Sequence, residues 1–469
     1  MVSHPCDYDT RMDEPVCPGC RELSKQVAEL TAQVAELTRK LEEATRAGKR
    51  QAAPFRKGPP KPDPKTPGRK SGDAHGTHRH RPSPTEPIAE RHDANLPDAC
   101  PHCRGRIVET GTADQFQTDI PRAPLVRKFS VHIGHCESCG KRTQGRHPLQ
   151  TSDALGAAAS QIGPDAQAAA TLLHTQMGLS HGKVASIFQT LFGITLTRGA
   201  IAQIGLRAAT RLEPDYRLIL DEVRSSEQIA ADETGWRIGG QPAWLHAWVG
   251  DRATAYAIDS KRSADPLERV IGRNWSGVLS HDGFASYERF EDAIHQQCVA
   301  HVLRRARELL AGATRGAVRF PRQVIGLFTE AIHWRNEYVP GAWSDDQRDA
   351  HRVSFDDRLL ELVSRPRAVP EYATLAKHLR NHFEQWFAFV FDPRIEPTNW
   401  QAEQAIRPAV VNRKVWGGNR TDSGARAQGV LMSVFETCRR RARSVVDHVS
   451  QTLGWFGNRL LPRPLLLAR

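Results

Sequence analysis

The first apolar pattern along the chain is a heptad-like repeat near the amino terminus. Apolar residues recur there at alternating spacings of four and three positions, with mostly polar or small residues between them; they are Leu23, Val27, Leu30, Val34, Leu37 and Leu41. This spacing predicts a leucine-zipper-like helix in residues 1–47, with about three heptads of coiled-coil seam. Such a helix pairs with another copy of the chain, or it docks on its own chain as an ordinary amphipathic helix.

Helical periodicity returns in residues 151–222, which we expect to form a helical domain. An alanine-rich helix comes first, followed by a helix predicted over residues 181–192 and a turn at Gly193. Thr197 is expected to cap a second helix, which begins at Arg198. Helices joined in this way resemble a helix-turn-helix, whose second helix enters the major groove of DNA. Lys183 and Arg198 are then candidate DNA contacts, although a plain helix hairpin has the same pattern.

Apolar runs in residues 223–302 predict a sheet. A strand that ends near Asp232 precedes a glycine turn, and two further strands follow in AWLHAWVG and TAYAIDS. An amphipathic helix and a strand that ends at Asp282 complete the series. Three strands in hairpin succession, a helix and a fourth strand are typical of a mixed, ribonuclease-H-like sheet. The ends of the first and fourth strands lie side by side in such a sheet, so we expect Asp232 and Asp282 to converge.

Two converging carboxylates repel each other unless a proton or a cation lies between them. Mg²⁺ prefers such hard oxygen ligands and accepts phosphate oxygens beside them. A third acid, Glu403, lies in EPTNWQAEQAIRPAVVNRK. Its helix is predicted to begin after Pro397, with Thr398 as N-cap, and to break or kink at Pro408. The alternative is that all three acids are ordinary surface carboxylates. Nearby positive charge comes from Arg407, Arg413 and Lys414.

Residues 303–395 show helical periodicity, so we expect an all-helical insertion between the second aspartate and Glu403, with its aromatic residues in a core. Just before it, CVAHVLRRAREL puts Cys298 and His301 one helical turn apart. Two ligands make an incomplete zinc site. We therefore expect this pair to pack near the three acids, with His301 and Arg304 as candidate DNA contacts.

Two CxxC pairs lie in residues 98–150: Cys100 with Cys103, and Cys136 with Cys139. The stretches QFQTDIP and RKFSVHI between the pairs have the composition of strands. One pair on either side of a hairpin would bring four thiolates into the tetrahedron that Zn²⁺ prefers. The pattern predicts a zinc-binding domain, and unrelated reduced cysteines are the alternative.

A further CxxC pair, Cys17 and Cys20, has no second pair near it in sequence. His4, Cys6 or a partner chain would have to complete a metal site there. The pair fits free thiols equally well.

Residues 48–97 differ sharply in composition from the rest of the chain. PFRKGPPKPDPKTPGRK and HGTHRHRPSP are rich in proline and basic residues. They predict a disordered basic tether, which holds phosphates or serves as a solvated linker. The whole chain has 65 Lys+Arg against 53 Asp+Glu, and its net charge of +12 favours a polyanionic partner. It contains neither an apolar run of about 18 residues nor a signal-peptide pattern, so we expect a cytoplasmic protein with no membrane partner.

The chain resembles the insertion-sequence-66 family of bacterial transposases in four segments, ADETGW, HDGFASY, CVAHVLRRAREL and TNWQAEQAIRPAVVNRKVWGGN. The resemblance extends over nearly the whole chain. It implies a DDE enzyme with a ribonuclease-H-like catalytic domain in two parts, residues 223–302 and 396–469. It also implies a catalytic triad that binds Mg²⁺ or Mn²⁺ and consists of Asp232, Asp282 and Glu403.

These features together predict a multidomain α+β and α/β protein that cuts and joins DNA at the ends of an insertion sequence. Its expected partners are terminal inverted repeats, target DNA, further copies of the chain as a homodimer or higher oligomer, and accessory proteins of the same element. A structure-specific nuclease and a non-enzymatic DNA-binding regulator are the rival interpretations. Trp400 and Gln404 depart from the family's usual Asn and Arg, but neither departure removes a carboxylate.

We expect the four paired cysteines to bind one Zn²⁺ as thiolates, with metal binding coupled to local folding. Metal analysis of a reduced, chelator-free fragment spanning residues 95–150 should give about one zinc per chain. A ratio near zero would show that these cysteines are not a metal site.

Overall fold

The computed structural model of the chain describes residues 18–49, 84–85, 87–118, 120, 123–156, 161–313, 317–339 and 341–454. The chain divides into two compact units, Met1–Asp119 and Ile120–Arg469. His4, Cys6, Cys17 and most of the predicted tether lie outside the described residues. Across the ranges that are described, no helix combines the length and the apolar character needed to cross a membrane.

The predicted zipper-like helix is present in the first unit as α1, which spans Pro18–Lys49. Its apolar stripe is 55% to 65% exposed at Leu23, Val27, Leu30, Val34 and Leu37. The side chain of Leu41 is outside the described set. No described residue covers the stripe, so its pairing with a second copy stays a prediction.

Each CxxC pair of the predicted zinc-binding domain lies in a tight turn of its own unit. In the first unit, Arg104 N donates to Cys100 O at 2.8 Å, and in the second, Gly140 N donates to Cys136 O at 2.8 Å. The backbone N–H of the second cysteine of each pair lowers the pKa of the Cys100 and Cys136 thiols. Each turn favours a thiolate, while zinc binding by the four cysteines stays a prediction.

The predicted strands between the cysteine pairs are wrong. The short strands β1 (Ile133–His135) and β2 (Arg142–Gln144) form a hairpin around the second pair instead. RKFSVHI contributes only its last residue, and no described residue of QFQTDIP is in a strand. Phe116 is 46% and Ile120 75% exposed, so no residue that the structure describes forms a second layer over this stretch. A strand-like composition does not form a stable strand without such a layer, because an unsupported hairpin is only marginally stable in water.

Four helices open the main body of the second unit: α2 (Pro164–Thr175), α3 (His181–Phe192), α4 (Arg198–Arg211) and α5 (Glu213–Arg224). Gly193 ends α3 with a φ of +66°. Thr197 caps α4 by accepting a hydrogen bond from Ala200 N at 3.1 Å. α2, α3 and α4 share a small core that includes Val184, Phe188, Leu196 and Ile201. Both helices and the turn of the predicted helix-turn-helix are therefore confirmed, while DNA contact stays a prediction.

The second unit contains a five-stranded sheet with the order β5-β4-β3-β6-β7. Its strands are β3 (Gln228–Ile238), β4 (Gln241–Val249), β5 (Thr254–Asp259), β6 (Val278–His281) and β7 (Ile294–Gln297). β3, β4 and β5 are antiparallel neighbours, whereas β6 is parallel to both β3 and β7. The helix α6 (Asp265–Ile271) connects β5 to β6. The three hairpin strands, the helix and the adjacent fourth strand lie as predicted. β7 was not predicted, because its sequence IHQQ carries almost no apolar signal.

The prediction that β3 ends near Asp232 is wrong, because the strand continues to Ile238. Its hairpin partner β4 pairs with every residue from Ala230 to Ile238. The parallel pairing with β6 ends earlier, at the pair Ala230–Ser280. Asp232 therefore lies inside β3, where the strand keeps β4 on one side and has lost β6 on the other.

The region between Asp282 and Glu403 is helical after β7, as predicted. Its helices are α7 (Val299–Ala311), α8 (Arg319–Glu337), α9 (Asp345–Ser364), α10 (Pro370–Asn381) and α11 (Ala388–Phe391). They enclose a separate apolar core whose buried aromatic residues include Phe320, Phe328, Phe355, Trp386, Phe387 and Phe389. These aromatic residues thus form core, as expected.

The last helices are α12 (Trp400–Trp416), α13 (Asp422–Arg440) and α14 (Val445–Gly454). The predicted N-cap of α12 is wrong, because Asn399 rather than Thr398 occupies that position. Of the break or kink predicted at Pro408, the break is wrong, because the helix continues through this residue. One face of α12 packs against apolar side chains of β3 and β4 and buries Ala402, Ala405, Ile406 and Ala409. This packing offsets the cost of about 3 kcal/mol that an internal proline imposes.

α13 covers the edge of the sheet that β5 would otherwise expose. Tyr256 N donates to Ser433 Oγ at 2.8 Å, and Thr254 N donates to Thr437 Oγ1 at 3.1 Å. Free N–H groups on an edge strand are templates for pairing with other chains. The hydroxyl groups of α13 satisfy two of them.

Tyr256 joins the sheet to α12, since its buried hydroxyl donates to Ala405 O at 2.8 Å. We expect Tyr256→Phe to lower the free energy of unfolding by about 1 kcal/mol, the net value of a typical hydrogen bond. Tyr338→Phe is the control, because Tyr338 is half-buried and accepts a longer bond of 3.3 Å from Arg348. Urea unfolding measures both, and equal midpoints for the two variants would contradict this role of Tyr256.

Candidate active site

Asp232 in β3 and Asp282, the residue directly after β6, occupy matching positions relative to the pairing of these two adjacent strands. Each lies two residues beyond Ala230–Ser280, the last pair that joins β3 to β6. Because the strands are parallel, both carboxylates follow the same end of the paired region. The charge of Asp282 acts on Asp232 and raises its pKa. The structure thus brings the first two predicted acids together.

The loop after β6 holds Asp282 in a defined turn. Asp282 Oδ1 accepts a hydrogen bond from Phe284 N at 3.1 Å. Gly283 between them has a φ of +90°, and a Cβ there would lie 2.8 Å from Gln297 Oε1. Both the backbone conformation and the lack of space require glycine at this position.

A pair of imidazoles supports the same loop. His281 is fully buried, and its Nδ1 accepts from Gly283 N at 3.2 Å. Its Nε2 lies 2.9 Å from His295 Nδ1, and His295 Nε2 donates to Phe290 O at 3.0 Å. These partners assign a neutral tautomer to each ring. Burial lowers the pKa of His281 to about 3, so a neutral imidazole supports the Asp282 loop at physiological pH.

Glu403 lies in the first turn of α12, and Asn399 anchors that turn to β3. Asn399 is 1% exposed, and its Nδ2 donates to Ala231 O at 2.8 Å. Its backbone O accepts from Glu403 N at 3.1 Å. Because Ala231 directly precedes Asp232, this bond brings the start of α12 close to the part of β3 that contains Asp232. All three predicted acids therefore lie in one region.

The surroundings of Asp232 favour its protonated form. Burial, followed by the charges of Asp282 and Glu233 and then Glu403, raises the pKa of Asp232 to about 7. Glu233 N donates to Asp232 Oδ1 at 2.9 Å and opposes this effect. At neutral pH, either a proton or a cation relieves such crowding. The hard oxygen donors fit Mg²⁺, which binds a few carboxylates together with water and phosphate oxygens.

A fourth carboxylate, Glu233, was missed by sequence reasoning. Its side chain is fully buried against Arg262, whose Nε and Nη2 donate to Glu233 Oε1 at 2.9 and 2.7 Å. Tyr287 OH donates to Oε2 at 3.0 Å. The Arg262 guanidinium also lies 4.2 Å from the ring centroid of Phe284, which is two residues after Asp282. Glu233 thus ties β3 to the Asp282 loop, and no pattern within the strand sequence QIAADETGWRI distinguished it from the neighbouring polar residues.

The predicted DNA contacts differ in exposure. Exposed side chains are Lys183, Arg198, Arg304, Arg407 and Lys414, and His301 is half-buried. The guanidinium of Arg413 is instead hydrogen-bonded to β3, because its Nη1 donates to Gly235 O and to Thr234 Oγ1. We therefore assign Arg413 a structural contact, whereas DNA binding by the others stays a prediction.

Cys298 and His301 lie beside Glu403. Cys298 occupies the N-cap position of α7, is 3% exposed, and accepts a hydrogen bond from Asn399 N at 3.2 Å through Sγ. His301 Nε2 lies 3.9 Å from Glu403 Oε1. One ligand atom from each of the three residues lies within 4.8 Å of the other two. The pair therefore packs near the acids as expected, and the structure adds Glu403 as a potential third ligand.

The raised pKa of Asp232 predicts a pH-dependent cost of folding. Without divalent cations, the unfolded chain releases this proton near pH 3.8, whereas the folded chain holds it to about pH 7. The folded state binds more protons between these values, so stability falls as pH rises from about 4 to about 7 and then levels off. Asp232→Asn should remove this decline and gain about 1–3 kcal/mol over the wild type between pH 4 and pH 8.

Urea unfolding in chelating buffer across this pH range provides the measurement. The control is Asp346→Asn, at an exposed position in the first turn of α9. It should leave the slope of stability against pH unchanged. A wild-type slope retained in Asp232→Asn would mean that another group causes the decline.

Comparison with known proteins gives the family. A sequence profile described as "Transposase IS66 family" matches residues 159–427, more than half of the chain. Curated relatives in Sinorhizobium fredii include Uncharacterized protein y4jD, 24% identical over 353 residues, 67% of this chain and 66% of that protein. Uncharacterized protein y4qI is 26% identical over 302 residues, 56% of this chain and 55% of that protein, so the chain spans less than two thirds of either relative. The chain belongs to the IS66 transposase family.

Proposed function

We propose that this protein is a DDE transposase with a ribonuclease-H-like catalytic domain, which cleaves DNA at the ends of an insertion sequence and joins them to a target. Family membership supports a transposase role. The observation that carries the catalytic proposal is the matching position of Asp232 and Asp282, two residues beyond the last β3–β6 pair. The anchoring of the Glu403 turn to Ala231 supports the third member.

In this proposal Asp232, Asp282 and Glu403 hold two Mg²⁺ ions. When bound, the ions supply a lowered pKa for a bound nucleophile and neutralisation of charge on the departing oxygen. The protein residues position the phosphate and its attacking group, which accounts for most of the catalysis of phosphoryl transfer. One site would then serve both cleavage by water and joining by a 3′ hydroxyl.

In this proposal the protein must keep Asp232 ionised for it to bind a cation. Its pKa of about 7 means that the carboxylate is available as a ligand once the neighbouring charges are offset. Glu233 does not compete for the cation in this arrangement, because Arg262 and Tyr287 occupy both of its oxygens. The bonds of Glu233 to Arg262 and Tyr287 thus leave three of the four carboxylates for catalysis.

DNA recognition is assigned to other parts of the chain. We propose that α4 reads the terminal repeats through Arg198, with Lys183 and the predicted basic tether on phosphates. Exposed positions for both side chains support this assignment. Arg304 on α7 and Arg407 on α12, with Lys414, would contact DNA nearer the catalytic acids. His301 would also lie near enough to touch the cleaved strand, since its Nε2 is 3.9 Å from Glu403.

Assembly and domain organisation follow the same logic. The exposed apolar stripe of α1 supports pairing with a second copy, which would hold two element ends in one complex. The remaining proposed parts are a linker (48–97), a zinc-binding domain (98–150), a helix-turn-helix domain (151–222) and a catalytic domain in two parts (223–302 and 396–469) around the helical insertion (303–395). Accessory proteins of the same element are proposed partners.

Two other functions use the same features. A structure-specific nuclease would cleave at this site but never join DNA ends. A DNA-binding regulator would keep α4 and lose the need for the acids. The grouping of Asp282 and Glu403 around Asp232 favours an enzyme over a regulator. The joining of DNA strands would distinguish a transposase from a nuclease.

We expect Asp232→Asn, Asp282→Asn and Glu403→Gln each to reduce cleavage and joining by about 10³-fold or more, as expected for the loss of roughly 4 kcal/mol of transition-state stabilisation. Binding to element ends should remain close to that of the wild type, because other parts of the chain contact DNA. The assay uses labelled element-end DNA, a target plasmid and Mg²⁺.

The matched control is Glu371→Gln, which neutralises an exposed glutamate in the first turn of α10, the position that Glu403 has in α12. It should cleave and join as the wild type does. Substantial activity in one of the three variants would remove that residue from the proposed triad. Cleavage without joining by the wild type would favour the nuclease.

A further inference from the structure

We propose that Cys298, His301 and Glu403 form a second metal site, for Zn²⁺ or a similar borderline divalent cation, and that its occupation withdraws Glu403 from the Mg²⁺ site. The withdrawal rests on the proposed function, whereas the binding does not. A transposase with this site would be inhibited by zinc at a position that the catalytic chemistry itself supplies.

The donor atoms are already close together. One atom each of a thiol, an imidazole and a carboxylate lie within 4.8 Å of one another. In a tetrahedral zinc site with bonds of about 2.0–2.3 Å, ligand atoms lie about 3.5 Å apart. Closing the site therefore takes about 1 Å of side-chain movement, which small rotations of the half-exposed His301 and the exposed Glu403 provide.

The backbone on both sides of the cluster is fixed. The start of α7 is joined to the segment before α12 by the bond from Val299 N to Pro397 O at 2.9 Å. The bond from Asn399 N to Cys298 Sγ, at 3.2 Å, keeps the sulfur at the start of α12. The N-termini of these two helices thus carry the three ligands on a rigid frame, as metal sites require.

The imidazole is free to act as a neutral ligand. His301 Nδ1 is buried and has no hydrogen-bond partner within the part of the chain that the structure describes. No acceptor therefore fixes the tautomer, and Nε2, which faces Glu403, can present its lone pair to a cation.

The ligand types select the cation. A thiolate, an imidazole and a carboxylate suit Zn²⁺, whereas Mg²⁺ takes oxygen ligands only. Three protein ligands leave a fourth position for water or a phosphate oxygen. Binding converts the Cys298 thiol to a thiolate, and the released proton goes to solvent. Because Glu403 is needed by both sites, the two cations compete for it.

The test is a Co²⁺ titration of the full-length chain, with Co²⁺ as the spectroscopic substitute for Zn²⁺. The six cysteines of the three CxxC pairs contribute equally in all variants, so difference spectra isolate the proposed site. We expect the wild type to bind one more Co²⁺ than Cys298→Ser and to show a thiolate-to-cobalt charge-transfer band that this variant lacks. His301→Ala and Glu403→Gln should each weaken this binding at least about tenfold. Cys438→Ser is the matched control, since Cys438 is also free and buried, and it should match the wild type.

A second measurement addresses inhibition. Zn²⁺ is titrated into the cleavage reaction at fixed Mg²⁺, with each variant normalised to its own activity without zinc. The inhibitory zinc concentration should rise at least about tenfold in Cys298→Ser and stay unchanged in Cys438→Ser. Thermal unfolding checks that each variant is folded, and His301→Ala replaces Cys298→Ser if the serine variant is not.

The outcomes are distinguishable. Identical cobalt spectra for the wild type, Cys298→Ser and His301→Ala would overturn the metal site. Cobalt binding with unchanged zinc inhibition in the variants would overturn the competition for Glu403. Cobalt binding by a chain that never cleaves DNA would support the site and contradict the proposed function instead.

Discussion

Repulsion among carboxyl groups at the end of the β3–β6 pairing is the constraint on which this structure depends. Asp232 lies beside three other acidic side chains, and burial together with their charges raises its pKa to about 7. Such a cluster folds only if other interactions hold it in place. The parallel pairing of β3 with β6 fixes two of the acids, and the bond from Asn399 to Ala231 fixes the third. The surrounding packing therefore offsets the cost of holding these acidic side chains close together.

Hydrogen-bond partners decide which carboxylates remain available. The guanidinium of Arg262 neutralises Glu233 and stacks near Phe284, so one acid becomes structural. At the far end of α12, Asn412 Nδ2 donates to Thr175 O at 2.7 Å, and the ring of Trp416 lies 4.0 Å from that of His174. The helix that carries Glu403 is thus held at its first turn by the sheet and at its last turns by α2.

Sequence reasoning succeeded where one local pattern decides the structure, and failed where distant parts of the chain do. Periodicity and capping residues located α3 and α4, and hairpin succession located β3 to β6 in order. The length of β3 depends on its partner β4, and the continuation of α12 through Pro408 depends on packing against the sheet, which no local signal reports. The bond between Glu233 and Arg262 was equally invisible, because charge complementarity between separate segments has no spacing rule. The predicted strands beside the cysteines failed because no described residue forms a layer over them.

Glu403 differs from the other two acids in being on a helix rather than at the end of paired strands. Asn399 contacts both sides of this position, since its side chain bonds to Ala231 and its backbone N–H to the sulfur of Cys298. Glu403 therefore lies between two groups of side chains: carboxylates toward β3, and a thiol and an imidazole toward α7. If both proposed sites bind their cations, the direction in which the Glu403 carboxylate turns would decide whether it serves a hard or a borderline cation. Because hydrogen bonds hold the backbone on both sides, the proposed competition requires a rotation of the Glu403 side chain and no change of fold.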